Sequence, residues 1–170
     1  MINIVIATKA EADLIADMSR KTFSDTFAAF NDPENMSRFM NEKFNHEILT
    51  AEVGAPGNHF LLAYDEQVPV GYARVRDNNT PPGLEGQETI EIARLYAVKE
   101  SIGKGVGKKL MQTCLDLGRT LNKKIAWLGV WEHNDRAIKF YDKWGFTRFS
   151  QHEFILGSDV QTDFLYKKEL

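Results

Sequence analysis

The sequence predicts an α/β fold built on one mixed central sheet of about six to seven strands, with helices on both of its faces. Short β-rich runs alternate with helix-period stripes through the second half of the chain, and three β-rich runs follow one another in the middle with only turns between them. The length, 170 residues of which 43% are hydrophobic and 26% charged, provides one sizeable core and is short for two. A single domain over residues 1–170 is therefore expected.

Ile2 to Ala7 reads as the first strand. From about Glu11 to Phe30, the residues Leu14, Ile15, Met18, Phe23, Phe27 and Phe30 recur at helical spacing. Asn31-Asp32-Pro33 ends that helix, and Pro33 suits the first turn of another that carries Met36, Phe39, Met40 and Phe44. A third, short helix is expected over His46 to Val53. After the break at Ala55-Pro56-Gly57-Asn58, Phe60 to Tyr64 and Val68 to Arg76 form a hairpin about Asp65-Glu66-Gln67. The turn-rich stretch Asp77 to Gly83 precedes a β-rich run over Thr89 to Val98. Val106, Leu110, Cys114, Leu117 and Leu121 then form the apolar stripe of a helix facing the sheet, which makes Cys114 a buried structural thiol rather than a nucleophile. Lys124 to Trp131 is a strand, and Asn134 to Trp144 a helix closed by Gly145. Phe146 to Phe149 and Asp163 to Tyr166 are the last two strands.

Composition excludes several functions. No stretch approaches the roughly 20 apolar residues that span a bilayer, and a net charge of −3 argues against general affinity for phosphate backbones. Neither a membrane nor a nucleic-acid partner is expected. The N-terminus has no basic start and no long apolar run, so the default location is cytoplasmic. One cysteine allows no internal disulfide. His46, His59, His133 and His152 never approach a ligand spacing such as H-x-x-x-H, and no metal is expected.

The segment Ile102-Gly103-Lys104-Gly105-Val106-Gly107-Lys108-Lys109 is a glycine-rich turn between a strand and a helix. Glycines let the main chain approach a ligand closely, and the free amides and positive dipole end of the following helix favour a phosphate or pyrophosphate. Lys104, Lys108 and Lys109 add charge. A Walker A loop would need a glycine at position 102 and Ser or Thr at position 109, where Ile102 and Lys109 stand. The spacing Gly103-x-Gly105-x-Gly107 also misses the G-x-G-x-x-G dinucleotide fingerprint.

This run resembles the acyl-CoA-binding motif of the GNAT acetyltransferases: Gln or Arg, two residues, Gly, any residue, Gly or Ala. Gly105 and Gly107 match, and Ile102 stands where the family usually has Gln or Arg. A second resemblance follows at the right distance, where Asn134, Ala137, Tyr141, Gly145 and Phe146 are similar to the family's Asn, Ala, Tyr, Gly-Phe element. The likeness covers roughly Gly71 to Phe149. It implies the GNAT fold, acetyl-CoA as co-substrate, and transfer of its acetyl group to an amine by direct attack in a ternary complex. A serine-nucleophile motif such as G-x-S-x-G is absent, in keeping with that route.

The resemblance also implies roles. Main-chain groups of Leu95, Tyr96, Ala97 and Val98 would pair with the pantetheine arm in a splay between two strands. The amides from Gly103 through Lys104, Gly105, Val106, Gly107 and Lys108 would cradle the pyrophosphate, and Asn134, an N-cap by position, would touch the coenzyme. The Tyr141 phenol, protonated at neutral pH with a reference pKa of ~10, would donate to the departing thiolate. It also suits a packing position beside Ala137 and Trp144. An amine acceptor is mostly protonated at pH 7 and needs a base; Glu91 is the candidate, directly or through a water, with a solvent-facing or ion-paired strand residue as its other reading. Trp127, Trp131 and Trp144 read as core or pocket walls.

Acceptor choice would come from the first two helices, the loop Asp77 to Glu88 and the segment Gln151 to Gln161. Asp25, Asp32, Glu34, Glu85 and Glu88 are acidic groups available to a cation, or simply solvated surface. The layout from Glu91 through Tyr96 into the glycine loop is similar to that of bacterial polyamine acetyltransferases, so a small polyamine is the first expected acceptor and a protein N-terminus or peptide lysine the second. A non-catalytic acyl-CoA sensor and a nucleotide-binding regulator are the rival classes. Edge strands and aromatics on the first helices leave room for a homodimer.

Overall fold

In a computed structural model covering residues 1–170, seven strands form one sheet in the order β1-β2-β3-β4-β5-β7-β6. The strands are β1 (Ile2–Ile6), β2 (Asn58–Asp65), β3 (Val68–Arg76), β4 (Thr89–Ala97), β5 (Ile125–Trp131), β6 (Thr147–Leu156) and β7 (Asp159–Glu169). Every neighbouring pair is antiparallel except β4 and β5, which run parallel. Parallel neighbours need a long crossover, and α4 (Val106–Thr120) supplies it. Helices α1 (Ala12–Phe27), α2 (Pro33–Glu42) and α3 (His46–Glu52) lie on one face of the sheet, and α4 and α5 (Asp135–Lys143) on the other. No helix is long and apolar enough to cross a membrane.

Capping residues set most helix starts. Thr8 and Glu11 close a capping box ahead of α1: the Glu11 carboxylate accepts from the Thr8 amide at 2.6 Å and the Thr8 hydroxyl from the Ala10 amide at 3.2 Å. Asp32 accepts from the Asn35 amide at the start of α2, with Pro33 in its first turn, and Asn45 accepts from the Ile48 amide at the start of α3. Ile15, Met18 and Phe23 of α1 are buried as the periodicity predicts. Phe30 is 69% exposed, because the helix gives way to a 3₁₀ turn over Ala28–Phe30 that turns this ring away from the core and beside Trp131.

The main core lies between the sheet and α4. Val106, Leu110, Met111, Cys114 and Leu115 pack on Ile90, Ile92, Ala126 and Leu128, all at least nine-tenths buried. Burying an aliphatic side chain of this size contributes about 1.5–3 kcal/mol, which anchors α4 against the centre of the sheet. The Cys114 thiol is buried there and its pKa is pushed up to about 12, so it is a structural group. Close approach of the N-terminal end of α4 depends on Gly71: a Cβ there would lie 2.7 Å from both the Tyr96 carbonyl oxygen and Val106 Cγ1.

The last two strands are longer than the sequence indicates. β6 and β7 have 10 and 11 residues and form a hairpin through a two-residue turn at Gly157-Ser158, so Gln151 to Gln161 is mostly strand rather than a separate segment. Asn35 of α2 fastens the tip, its Oδ1 accepting from the Ser158 amide at 2.9 Å and from the Ser158 hydroxyl at 3.0 Å. Only one side of this hairpin meets apolar partners, which is why its hydrophobic signal in sequence is weak.

Candidate active site

The parallel strands separate almost as soon as they meet. β4 pairs with β5 only through Thr89, Ile90 and Glu91, opposite Ile125, Ala126 and Trp127. A bulge at Ala93 bends β4 at that point, its partners on β3 stepping from Val75↔Ile92 to Arg74↔Arg94. Beyond it, β4 keeps its bonds to β3 while its other edge is open. A cleft of about 640 Å³ opens in the gap and reaches both faces of the sheet.

One half of the cleft contains most of the residues singled out for the coenzyme. Leu95, Tyr96, Ala97, Gly103, Gly105, Gly107, Lys108, Asn134 and Tyr141 all line it. Val98, Lys104 and Val106 do not: the Val98 amide donates to Val70 O, and the Val106 side chain is in the core. Gly105 caps α4 at φ 89°, and a Cβ at Gly103 or Gly105 would meet nothing within 4 Å, so open space faces the loop. The first α4 amide to bond backwards is that of Lys109, to Gly105 O at 3.0 Å. The amides of Val106, Gly107 and Lys108 therefore have no intrahelical acceptor. Lys108 and Arg136 bring two cations to this wall. The amides, the cations and the free strand edge fit an elongated anionic thioester such as acetyl-CoA. Ile102, at the position of the usual Gln or Arg, lines the cleft and is 41% exposed.

Tyr141 projects from α5 into this half, beside Phe140 and Phe146. Burial pushes its pKa up to about 12, which keeps the phenol protonated across the neutral range. Asn134 caps α5, its Oδ1 accepting from the Ala137 amide at 3.3 Å.

Glu91 is placed otherwise than its expected role as base requires. Arg76 holds its carboxylate with two bonds, Nε at 2.7 Å and Nη2 at 3.0 Å, and the Asn79 amide adds a third at 2.8 Å. Glu91 is 7% exposed and is not on the cleft wall. The ion-paired strand residue is the reading this geometry supports. A second pair lies beside it: Arg94 donates to Glu52 of α3 at 2.6 and 3.1 Å, and Arg74 sits 3.4 Å from the same carboxylate. Burial, together with the neighbouring Arg94 cation, lowers Arg74 to about 10.

The other half of the cleft has walls that sequence reasoning did not assign. Phe23 and Phe27 of α1, Phe39 of α2, Trp131 of β5 and Phe154 of β6 present aromatic surface, with Arg94, Gln161, Lys43 and Asp163 as polar groups. Asp163 is the only carboxylate on the lining. None of Asp32, Glu34, Glu85 and Glu88 reaches either described pocket, and Asp25 reaches only a smaller neighbouring one, where Lys21 pairs with it at 3.2 Å. No local motif marks Asp163, Gln161 or Arg136. The signal for Asp163 and Gln161 is position, since the strand antiparallel to the one after the crossover helix must flank the gap, and Arg136 falls in the first turn of the helix that follows.

Residues 17–146 match the model of the Acetyltransferase (GNAT) family. A protein of Lactobacillus delbrueckii subsp. lactis, named an uncharacterised N-acetyltransferase in the pepI 3′ region, is 38% identical over 172 aligned positions, covering 100% of this chain and 99% of the relative. An uncharacterised N-acetyltransferase of Mycobacterium bovis is 26% identical over 94% of this chain and 98% of its own. Among solved structures, the PaiA N-acetyltransferase of Thermoplasma acidophilum in complex with coenzyme A superposes with a TM-score of 0.79 at 21% identity, covering 100% of this chain and 99% of that one. The yncA structure from Salmonella typhimurium, with its cofactor acetyl-CoA, gives 0.76 at 22%, over 100% and 94%. At such identities the structures establish a common fold.

Proposed function

The chain belongs to the GNAT acetyltransferase family and is an acetyl-CoA-dependent N-acetyltransferase, and on that premise we propose that it passes the acetyl group directly to a primary amine held in the aromatic half of the cleft. The observation that carries this reading is the parting of β4 from β5 beyond Glu91 and Trp127. It leaves a free strand edge, helix amides and the Tyr141 phenol in one half of the cleft, and Asp163 with aromatic faces in the other.

In this reading main-chain groups of Leu95, Tyr96 and Ala97 hold the pantetheine arm, and the α4 amides with Lys108 and Arg136 hold the pyrophosphate. The amine, once neutral, forms the C–N bond to the acetyl carbon while the C–S bond breaks and sulfur leaves with the electron pair. Tyr141 gives its proton to that sulfur. The proton then shed by the acylated nitrogen returns to the phenol through solvent, which balances the step. General acid help of this kind contributes about 10²–10⁴-fold.

A small polyamine is the first acceptor in this reading. Asp163 supports it as a counter-ion for one ammonium, and the faces of Phe27, Trp131 and Phe154 support it as surfaces for methylenes or a second cation. An amine with one ammonium and a flat apolar body is the second reading, favoured by the single carboxylate on the lining. A protein N-terminus or a peptide lysine comes third.

Free-thiol release from acetyl-CoA with spermidine, spermine, phenethylamine, lysine and a peptide panel tests the proposal. Amine-dependent release that falls about 10²-fold in Tyr141→Phe is the expected result. Tight acetyl-CoA binding with no release from any amine would favour an acyl-CoA sensor.

A further inference from the structure

Asp163 is the only carboxylate on the cleft lining, and it is not alone behind that surface. It lies on β7 opposite Trp131 of β5 on one side and opposite His152 of β6 on the other, so all three side chains share the face that carries the aromatic half. His152 Nε2 lies 3.5 Å from Asp163 Oδ2. The two differ in exposure: the Asp163 side chain is 18% exposed and that of His152 is 48% exposed. The pair thus runs from the cleft towards solvent.

Two further features point this pair at the reaction. Gly129 of β5 carries no side chain beneath it, and a Cβ there would lie 3.7 Å from His152 Nε2 and 3.8 Å from Asp163 Oδ2. Gly129 is itself exposed in the cleft wall, while its neighbours Leu128 and Val130 are buried. The Tyr96 phenol is on the cleft wall at the open edge of β4, and burial, with the Asp163 charge as a smaller contribution, raises its pKa. Tyr141 and Asp163 both line this one cleft.

From this geometry, and resting on the acetyl-transfer reading above, we propose that Asp163 is the catalytic residue on the acceptor side, binding the substrate ammonium and taking its proton, with His152 as the positioning residue that relays the proton to solvent. The incoming R–NH3⁺ gives one proton to an Asp163 oxygen and keeps its electron pair for attack. Asp163 passes that proton to His152 Nε2 while the ring, protonated on Nδ1 in its neutral form, releases a proton from Nδ1 to water. Asp163 is then an anion again, and the net products are a neutral amine and one solvent proton. Glu91 is excluded from this role by its three bonds to Arg76 and Asn79.

The charged groups that act on His152 are Asp163, through a hydrogen bond and its charge, and Glu91 from β4. Together they raise its pKa against a smaller opposing effect of burial. The neutral ring accepts the proton, so activity rises as pH climbs through a value above the ordinary 6.5 of histidine.

The test compares wild type, Asp163→Asn, His152→Gln and Gly129→Leu in the thiol-release assay, with acetyl-CoA Kd measured by calorimetry as the check on folding. Asp163→Asn is expected to lower kcat/KM about 10²-fold. His152→Gln is expected to lower kcat about tenfold with a smaller change in KM, and to displace the acid limb of the pH profile, measured with the same amine. Gly129→Leu is expected to raise the amine KM by filling the space below the pair. All three should keep acetyl-CoA Kd within about twofold. Amine-dependent release that survives in Asp163→Asn with an unmoved KM and pH profile would overturn this inference and leave acetyl transfer standing. Wild type that releases no thiol with any amine would overturn both.

Discussion

Glu91 and Trp127 are the last partners that β4 and β5 share. Their side chains lie on the same face of the sheet, and both are tied to Asn79 in the loop before β4: its side-chain amide donates to Glu91 at 2.8 Å, and its carbonyl accepts from Trp127 Nε1 at 3.0 Å. The loop therefore closes the seam at the point where it would otherwise continue to unzip. Glu91 belongs to the hinge of the cleft, and its chemistry follows from that position.

Replacing Glu91 by Gln should consequently act on stability. Arg76 would keep one acceptor and lose the charge, in a pair of which the Glu91 side chain is 9% and the Arg76 side chain 31% exposed. The expected cost is about 1–3 kcal/mol in urea denaturation. The pH profile of kcat should keep its acid limb, moved to slightly lower pH because the Glu91 charge no longer helps raise His152; a lost acid limb would restore Glu91 as the base.

Tyr141 makes a second prediction through its raised pKa. A general acid must hold its proton, and burial keeps this phenol protonated up to about pH 12. The rate should therefore show no alkaline fall near pH 10, where a solvated tyrosine would titrate. A decline centred at 10 in kcat for wild type, absent from Tyr141→Phe, would contradict the buried phenol.

At Ile102 the chain presents an exposed apolar side chain on the cleft wall beside the glycine loop. Ile102→Arg should tighten acetyl-CoA binding about three- to tenfold by adding a charge-assisted contact, read as Kd by calorimetry at low salt. An unchanged Kd would mean that the side chain at this position does not reach the coenzyme.

His152 links the site to stability. Its folded pKa is raised, so its favourable contribution is fully present below the unfolded value near 6.5 and is lost as pH rises through the higher folded value. The stability difference between wild type and His152→Gln should therefore be larger at pH 5.5 than at pH 9. An equal difference at both values would show that the Asp163 contact does not bias protonation.

Much of this was legible where chemistry is local. The open amides of Val106, Gly107 and Lys108 arise because a glycine run meets a helix start, and both features occupy adjacent letters; Asn134 caps its helix for the same reason. What escaped were contacts made across strands. Asp163, His152 and Gly129 are far apart in sequence and meet only because β5, β7 and β6 adopt one register. The sequence shows only two short ends of the long β6–β7 hairpin, since its outer face carries polar and exposed residues such as Glu153 and Val160 that dilute any alternation. Glu91 reads in sequence as either a base or an ion-paired strand residue for a related reason: its position on the strand is plain there, whereas the claims of Arg76 and Asn79 on its oxygens are not.

The bond between Asn35 and Ser158 changes how the acceptor side can deform. β5 pairs with β7 as far as Asp163, and beyond it the hairpin, left free at its turn, would be an overhang of about 13 Å that swings most at the tip. Held by β5 at the root and by Asn35 at the tip, it becomes a beam supported at both ends. Asp163 lies four residues from Asp159 at the turn, at the inner support where the pairing with β5 ends. An asparagine on a helix that shares no strand with the carboxylate thus limits the swing of the hairpin segment beside it.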